Sequence, residues 1–244
     1  MRWRLIVVGL VGLATAGALY GGEKPAPVTI SPFASPPPRL PLEELTPAVR
    51  DKVKAVLDKP TLSSRSVPET FNTDHAVYRY LLDHPDHAVK LWRQTGAKVA
   101  EIDASGGGAY VWQDGQGSEV TWQIVHKGPG LHVWYAEGKV KPGLLFAAHP
   151  FRAVAMLQYT EGYDYAGLPA VRHQVHFHLR CESRAVTLAT RVMGNSAERL
   201  AEQYLGQLQM FYGGLAWYVY QDAERAKKLF QDAGLTYPVA GRVQ

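Results

Sequence analysis

The sequence predicts an α+β domain. A curved antiparallel sheet of six to seven strands grips a long C-terminal helix, and two short helices follow the first strand. Three observations carry this. The apolar spacing switches from a helical period to a period of two at Lys98, and back at Asn195. Glycine-rich turn signals punctuate the period-two region. From about Ser196 to about Ala233 the chain is apolar on most sides, which marks a helix buried on most of its girth.

The elements follow in order. Leu42 to Leu57 has helical spacing, with Thr46 at the N-cap position, Pro47 at the first helical position and Lys59-Pro60 as the stop. Leu62 to Phe71 reads as a short strand weakened by Pro68. Asn72-Thr73-Asp74 starts a helix whose apolar residues are Val77, Tyr80, Leu81 and Leu82, and Asp83-His84-Pro85-Asp86 breaks it. Ala88 to Arg93 is a second short helix. Strands are then predicted at Val99–Asp103, Ala109–Gln113, Glu119–His126, Leu131–Val140, Phe151–Thr160, Val171–Glu182 and Ala185–Met193. Short loops between them favour antiparallel hairpins. Val171, Val175, Phe177, Leu179 and Cys181 share one face, opposite Arg172, Gln174, His176, His178 and Arg180. That pattern predicts one covered and one wet face. Asn195 is the expected N-cap of the last helix, with Glu198 as its capping partner. Gly234 and Pro238 end it.

The first 22 residues place the domain. Arg2 and Arg4 precede an uncharged run from Leu5 to Gly22, and Ala14-Thr15-Ala16 is a small-x-small cleavage pattern. A cleaved signal peptide and an uncleaved membrane anchor both fit, so the expected location is exported, released or tethered by residues 5–22. Seven prolines between Glu23 and Pro41 make residues 23–41 an extended spacer. The expected organisation is therefore 1–22 signal or anchor, 23–41 linker, 42–61 preface helix, 62–235 folded domain and 236–244 tail. A net charge of +4 on 244 residues, with no basic block, excludes a nucleic-acid footprint. The lone Cys181 forms no internal disulfide and falls on the apolar side of its strand.

No catalytic motif is legible. His176 and His178 share a strand face but His173 lies on the other, so the three do not form a metal set. His173, alone on the apolar face, is either a hydrogen-bonded core histidine or a ligand contact. Asp83 to His87 packs two carboxylates and two imidazoles into a helix–helix corner, where such residues are natural caps and turn formers. Gly106-Gly107-Gly108 lacks the lysine and following helix of a phosphate loop, and there is no Gly-x-Ser-x-Gly, His-Glu-x-x-His or Cys-x-x-Cys. No catalytic residue, metal or cofactor is expected. The positive signal is aromatic. Tyr110, Trp112, Trp122, Trp134 and Tyr159 fall on strands, and Phe211, Tyr212, Trp217 and Tyr218 on the last helix. Gly206 and Gly213 interrupt that helix, either for close approach to a strand or to leave room for a ligand.

The segment Thr70 to Gly96 (TFNTDHAVYRYLLDHPDHAVKLWRQTG) combines an entry strand, an aromatic-rich helix, a proline corner and Lys-Leu-Trp before the sheet. With the apolar helix from Ser196 to Ala233, this order resembles the START-like superfamily, the helix-grip domains that include polyketide cyclases and lipid-transfer proteins. The resemblance spans about residues 62–235 and is architectural. The alternative is a cone-shaped sheet of the nuclear-transport-factor-2 type, against which the long last helix argues.

The resemblance implies a sheet–helix cavity that receives a lipid or other apolar small molecule. Strand parity and the buried helix girth assign Trp122, His173, Phe177, Phe211, Gly213, Trp217 and Tyr218 to it. A non-catalytic binder or carrier is the first expectation. A structural or interaction module presented at a membrane, its core filled, is the second.

Overall fold

The computed structural model describes residues 38–141, 148–182 and 195–238. After a short turn at Leu42–Glu44, helix α1 (Pro47–Asp58) leads into strands β1 (Leu62–Arg65) and β2 (Glu69–Asn72). Helices α2 (His75–Asp83) and α3 (Pro85–Gln94) follow. Six strands come next: β3 (Asp103–Gly106), β4 (Ala109–Gln113), β5 (Glu119–Gly128), β6 (Leu131–Val140), β7 (His149–Tyr163) and β8 (Pro169–Cys181). Helices α4 (Asn195–Tyr220) and α5 (Ala223–Asp232) end the described chain.

The fold is α+β, with one open antiparallel sheet and a C-terminal helix pair. Strand order is β1-β8-β7-β6-β5-β4-β3, and β2 joins β8 beside β1. The described sheet thus has eight strands, where six to seven are predicted. Pro68 accounts for part of the difference. It has no amide donor, so the predicted strand from Leu62 to Phe71 divides into β1 and β2 on the same partner. The predicted strand at Val99–Asp103 is displaced to Asp103–Gly106. The predicted strand at Ala185–Met193 lies outside the described residues.

Local chemistry explains the helix boundaries. Asp74 caps α2, its Oδ1 accepting from the Ala76 and Val77 amides at 2.7 and 3.3 Å. His84 precedes Pro85 and is held out of the helical region, so α2 and α3 meet at a corner. The predicted continuous helix to Ala233 is broken. Asp222 is extended, and its carboxylate accepts from the Arg225 amide at 3.0 Å, which starts α5 afresh.

Register assigns the two faces. Trp112, Val120, Gly138, Phe151 and Cys181 form one row across the sheet, and Tyr110, Trp122, Ala136, Ala153 and Leu179 the next. This face belongs to the main core, which α2, α3, α4 and α5 complete with Tyr78, Leu81, Leu91, Leu215 and Phe230. Helix α4 lies mainly over β1, β2 and β8. Side chains fasten it there. Gln209 Nε2 donates to the carbonyls of Val67 and His173 at 3.0 and 3.1 Å, and Trp92 Nε1 donates to the Phe211 carbonyl at 2.8 Å.

The expectation of one wet face is corrected by α1. Val53 and Val56 bury completely against Leu131, Val133, Tyr135, Val154 and Met156 on the opposite face. Lys52 pairs with Glu137 at 2.7 Å, and Arg180 donates to the Ala55 carbonyl at 2.6 Å. The preface helix is therefore part of the packed structure, because apolar β6 and β7 residues of that face need a cover. Among the described residues no helix is long and apolar enough to cross a membrane.

Candidate ligand-binding cleft

A cleft of about 600 Å³ opens where α2 meets the β5–β6 hairpin and the end of β7. Arg79, Leu82 and Asp83 line it from one face of α2, at i, i+3 and i+4 spacing. Lys127, the turn Gly128-Pro129-Gly130 and His132 line it from the hairpin. Tyr159, Thr160 and Glu161 close it from β7.

A β-bulge builds part of this wall. Ile124 pairs with Trp134, but the register shifts between Ile124 and His126. Lys127 is thereby brought opposite His132 and onto the same face as Trp134. Without the extra residue Lys127 would point to the α1 side. Its Nζ instead reaches Asp83 Oδ1 at 3.0 Å, while Arg79 Nη1 contacts both oxygens of Glu161 at 2.7 and 2.6 Å. Two ion pairs thus tie α2 to β5 and to β7 on either side of the cleft. Both are substantially exposed, so they position α2 more than they stabilise the fold.

His132 is the buried group of this wall, with 3% of its surface exposed. Burial pushes its imidazole down to about 4, against a smaller upward pull from Asp83. The ring is therefore neutral near pH 7. Nδ1 lies 3.8 Å from Asp83 Oδ1, a charge–dipole contact too long for a hydrogen bond. Nε2 is buried and has no hydrogen-bond partner among the described residues. The neighbouring Trp134, with ring centroids 4.6 Å apart, also has its Nε1 buried and unpartnered. Trp134 in turn stacks on Tyr212 of α4 at 5.7 Å and 10°. Tyr110 completes the surroundings: its hydroxyl donates to the Asp83 carbonyl at 3.2 Å, and burial pushes its phenol up to about 12.

None of the seven residues assigned from sequence lines this cleft. His173 and Gly213 do come together, but in close packing. A Cβ on Gly213 would lie 2.9 Å from Phe71 Cε1 and 3.0 Å from His173 Cε1. The glycine serves close approach of α4 to β2 and β8, the first of the two readings its place in the sequence allows. His173 Nδ1 is 2.8 Å from the Tyr78 hydroxyl, and its Nε2 is 3.7 Å from Glu69, a contact we read as electrostatic because it exceeds hydrogen-bond length. Phe177 is buried in the row of Ile124 and Trp134. Trp122 stacks on Tyr110, and Phe211 meets Tyr212 edge to face. Trp217 is half-buried, and Tyr218 lies under the Arg225 guanidinium at 4.2 Å. The corner from Asp83 to His87 divides its roles. Asp83 faces the cleft, while His84 and His87 stack at 4.8 Å and Tyr80 Oη meets His87 Nδ1 at 2.6 Å.

The residues missed were His132 and Lys127, while Asp83 belongs to the corner that the sequence assigns a structural role. Parity places His132 in phase with Trp134 and Ala136, the same signal that singled out His173. Lys127 carries no such signal, because the bulge alone turns it inward.

No protein-family model and no curated protein matches the chain. Among solved structures, a conserved protein from Geobacillus kaustophilus is similar at a TM-score of 0.39 and 12% identity, over 62% of this chain and 95% of that one. The Mll3558 protein from Rhizobium loti is similar at 0.34 and 17%, over 62% and 97%.

Proposed function

We propose that the domain is a non-catalytic binder of a small apolar or amphipathic molecule, received in the cleft between α2 and the β5–β6 hairpin. One observation carries this reading: a buried histidine with an unpartnered ring nitrogen on the wall of a roughly 600 Å³ cleft. A buried polar atom left unpaired costs about 1–3 kcal/mol, so its place is beside a group that completes it. Leu82 and Tyr159 supply apolar surface beside it. The architecture is read as a helix-grip variant, supported by the helix pair after the entry strands and by α4 packed over β1, β2 and β8. Residues 5–22 are proposed to export or tether the domain, with residues 23–41 as spacer.

Native mass spectrometry of the purified full chain, with solvent extraction of anything bound, tests the reading. Thr160→Trp, which fills the cleft from its wall, is expected to lose the bound molecule while circular dichroism stays unchanged. Equal occupancy in the variant would refute the cleft as the site. N-terminal sequencing of mature protein tests the location.

A second reading, an interaction module presented at a membrane, has its own support. The β7–β8 turn exposes Tyr163, Tyr165 and Leu168 at 64%, 71% and 46%. Asp164 braces that turn, accepting from the Ala166 and Leu168 amides at 2.9 and 2.8 Å and from Asn72 Nδ2 at 2.8 Å. An empty cleft in every preparation, together with a protein cross-linked through position 165 in the native membrane fraction, would favour it.

A further inference from the structure

We propose that the β7–β8 turn is a bilayer-docking tip, which sets Tyr163, Tyr165 and Leu168 into the interface of a neutral phospholipid membrane. This inference rests on the tether reading of residues 5–22 and is independent of the ligand reading.

Register places the turn. At the β5–β6 turn Gly128 pairs with Leu131, and Leu131 pairs with Gln158 of β7. From there β7 and β8 continue together to the pair Tyr163–Pro169. At about 3.3 Å per residue, their turn stands roughly 16 Å beyond the β5–β6 turn. The described chain enters the fold at this same end. Leu40 packs with the cluster of Leu45, Leu131 and Val133, and Glu44 Oε2 lies 3.3 Å from Nδ1 of His126, next to the β5–β6 turn. The spacer of residues 23–41 reaches at most about 60 Å when fully extended. β7 runs 15 residues, a length of about 50 Å. A tether at residues 5–22 therefore brings the tip to the membrane with slack in the spacer. To bring the opposite end there, the spacer must run nearly straight along the sheet. Proximity thus favours the tip.

The chemistry of the turn suits a bilayer. Residues 163–168 contain two tyrosines, a leucine and one charge, Asp164. Tyr163, Tyr165 and Leu168 are exposed. The Asp164 carboxylate accepts from the Ala166 and Leu168 amides, so the turn keeps its shape by its own hydrogen bonds. Tyrosine joins an apolar ring to a polar hydroxyl and belongs at the level of the lipid headgroups. The turn holds no lysine or arginine, so its attraction comes from apolar burial and not from anionic lipid. Three side chains bind a membrane weakly, and the tether raises their effective concentration at its surface.

The test reconstitutes the full chain in phosphatidylcholine vesicles, with a fluorophore attached at Tyr165→Cys or at Gln116→Cys. Gln116 lies in the β4–β5 turn, at the opposite end of the sheet. Cys181 is buried, so the introduced thiol takes the label. Nitroxide-labelled lipid is expected to quench position 165 several-fold more than position 116. Tyr163→Ser combined with Leu168→Ser should abolish that difference, with circular dichroism unchanged. Equal quenching at the two positions in membrane-bound protein would overturn the docking tip and leave the tether standing. A difference that arises only when phosphatidylserine is added would overturn the apolar account. Failure of the chain to float with the vesicles would remove the tip and the tether together. Shielding of position 165 in native membranes, with no quenching in pure lipid, would replace the bilayer by a protein partner.

Discussion

Two buried histidines on one face of the sheet have opposite surroundings. His173 on β8 is 1% exposed, meets the Tyr78 hydroxyl and is packed against Phe71 and the backbone of α4 at Gly213. His132 on β6 is 3% exposed, its Nε2 has no hydrogen-bond partner among the described residues, and it stands at the wall of an open cleft. Each has a carboxylate at 3.7 to 3.8 Å. Burial and a nearby charge are therefore common to both, and neither marks a site. The difference is what occupies the remaining space. At His173 a helix approaches so closely that only glycine fits. At His132 the hairpin turn and α2 leave an open cleft beside the ring.

The largest test of this contrast is Gly213→Leu. With Phe71 and His173 within 3.0 Å of the added Cβ, the variant is expected to lose about 3 kcal/mol or more, read as a drop in the denaturant midpoint. Retained stability would mean that the two ends of the core are equally loose.

Acid comes next. Since burial lowers the folded-state pKa of His132, the unfolded chain binds the proton first as pH falls. The stability that depends on the neutral ring is complete above about pH 6.5 and is lost progressively down to about pH 4, where the folded state protonates too. The loss is on the order of 3 kcal/mol. His132→Phe should reduce the slope of that part of the stability–pH curve, to which His87, His173, His176 and His178, lowered by burial too, also contribute; an unchanged slope would contradict the burial argument.

At the packed end, Tyr78→Phe removes the hydroxyl partner of His173 Nδ1. A cost of about 1–3 kcal/mol is expected in urea melts. Gly206 provides the converse case in the same helix as Gly213. Nothing lies within 4 Å of its added Cβ, so Gly206→Ala is expected to stabilise by up to about 1 kcal/mol. The smallest effect belongs to the rim. Arg79→Ala breaks the contact with Glu161 and should cost less than about 1 kcal/mol, the range of exposed pairs. A larger cost would show that the ion pairs, and not the core, hold α2 in place.

Much of the fold was legible because it is local. The strands at Ala109–Gln113 and Leu131–Val140 agree with the predicted bounds, since alternation and flanking turn residues define them without reference to neighbours. Asp74 was readable as a cap for the same reason. The break before α5 carried a signal that went unread, for Asp222 is as good a cap as Asp74. The candidate site was less legible. Parity places His132 inward but says nothing about whether the space before it is filled. The reading of Gly213 was undecidable from sequence, because a glycine required by contact and one that leaves room look alike.

The sequence by itself determined the alternation of periods, the turn positions, the Asp74-capped start of α2 and the apolar C-terminal helical region. These depend on backbone chemistry and on neighbours a few residues away. Only the tertiary structure decided that α1 covers the second face of the sheet and that α4 lies close enough to β2 and β8 to exclude a side chain at 213. It alone turned Lys127 inward through a bulge and left His132 Nε2 and Trp134 Nε1 without partners among the described residues. Those outcomes depend on distances between segments far apart in the chain, set by how the whole core packs, and no local pattern encodes them.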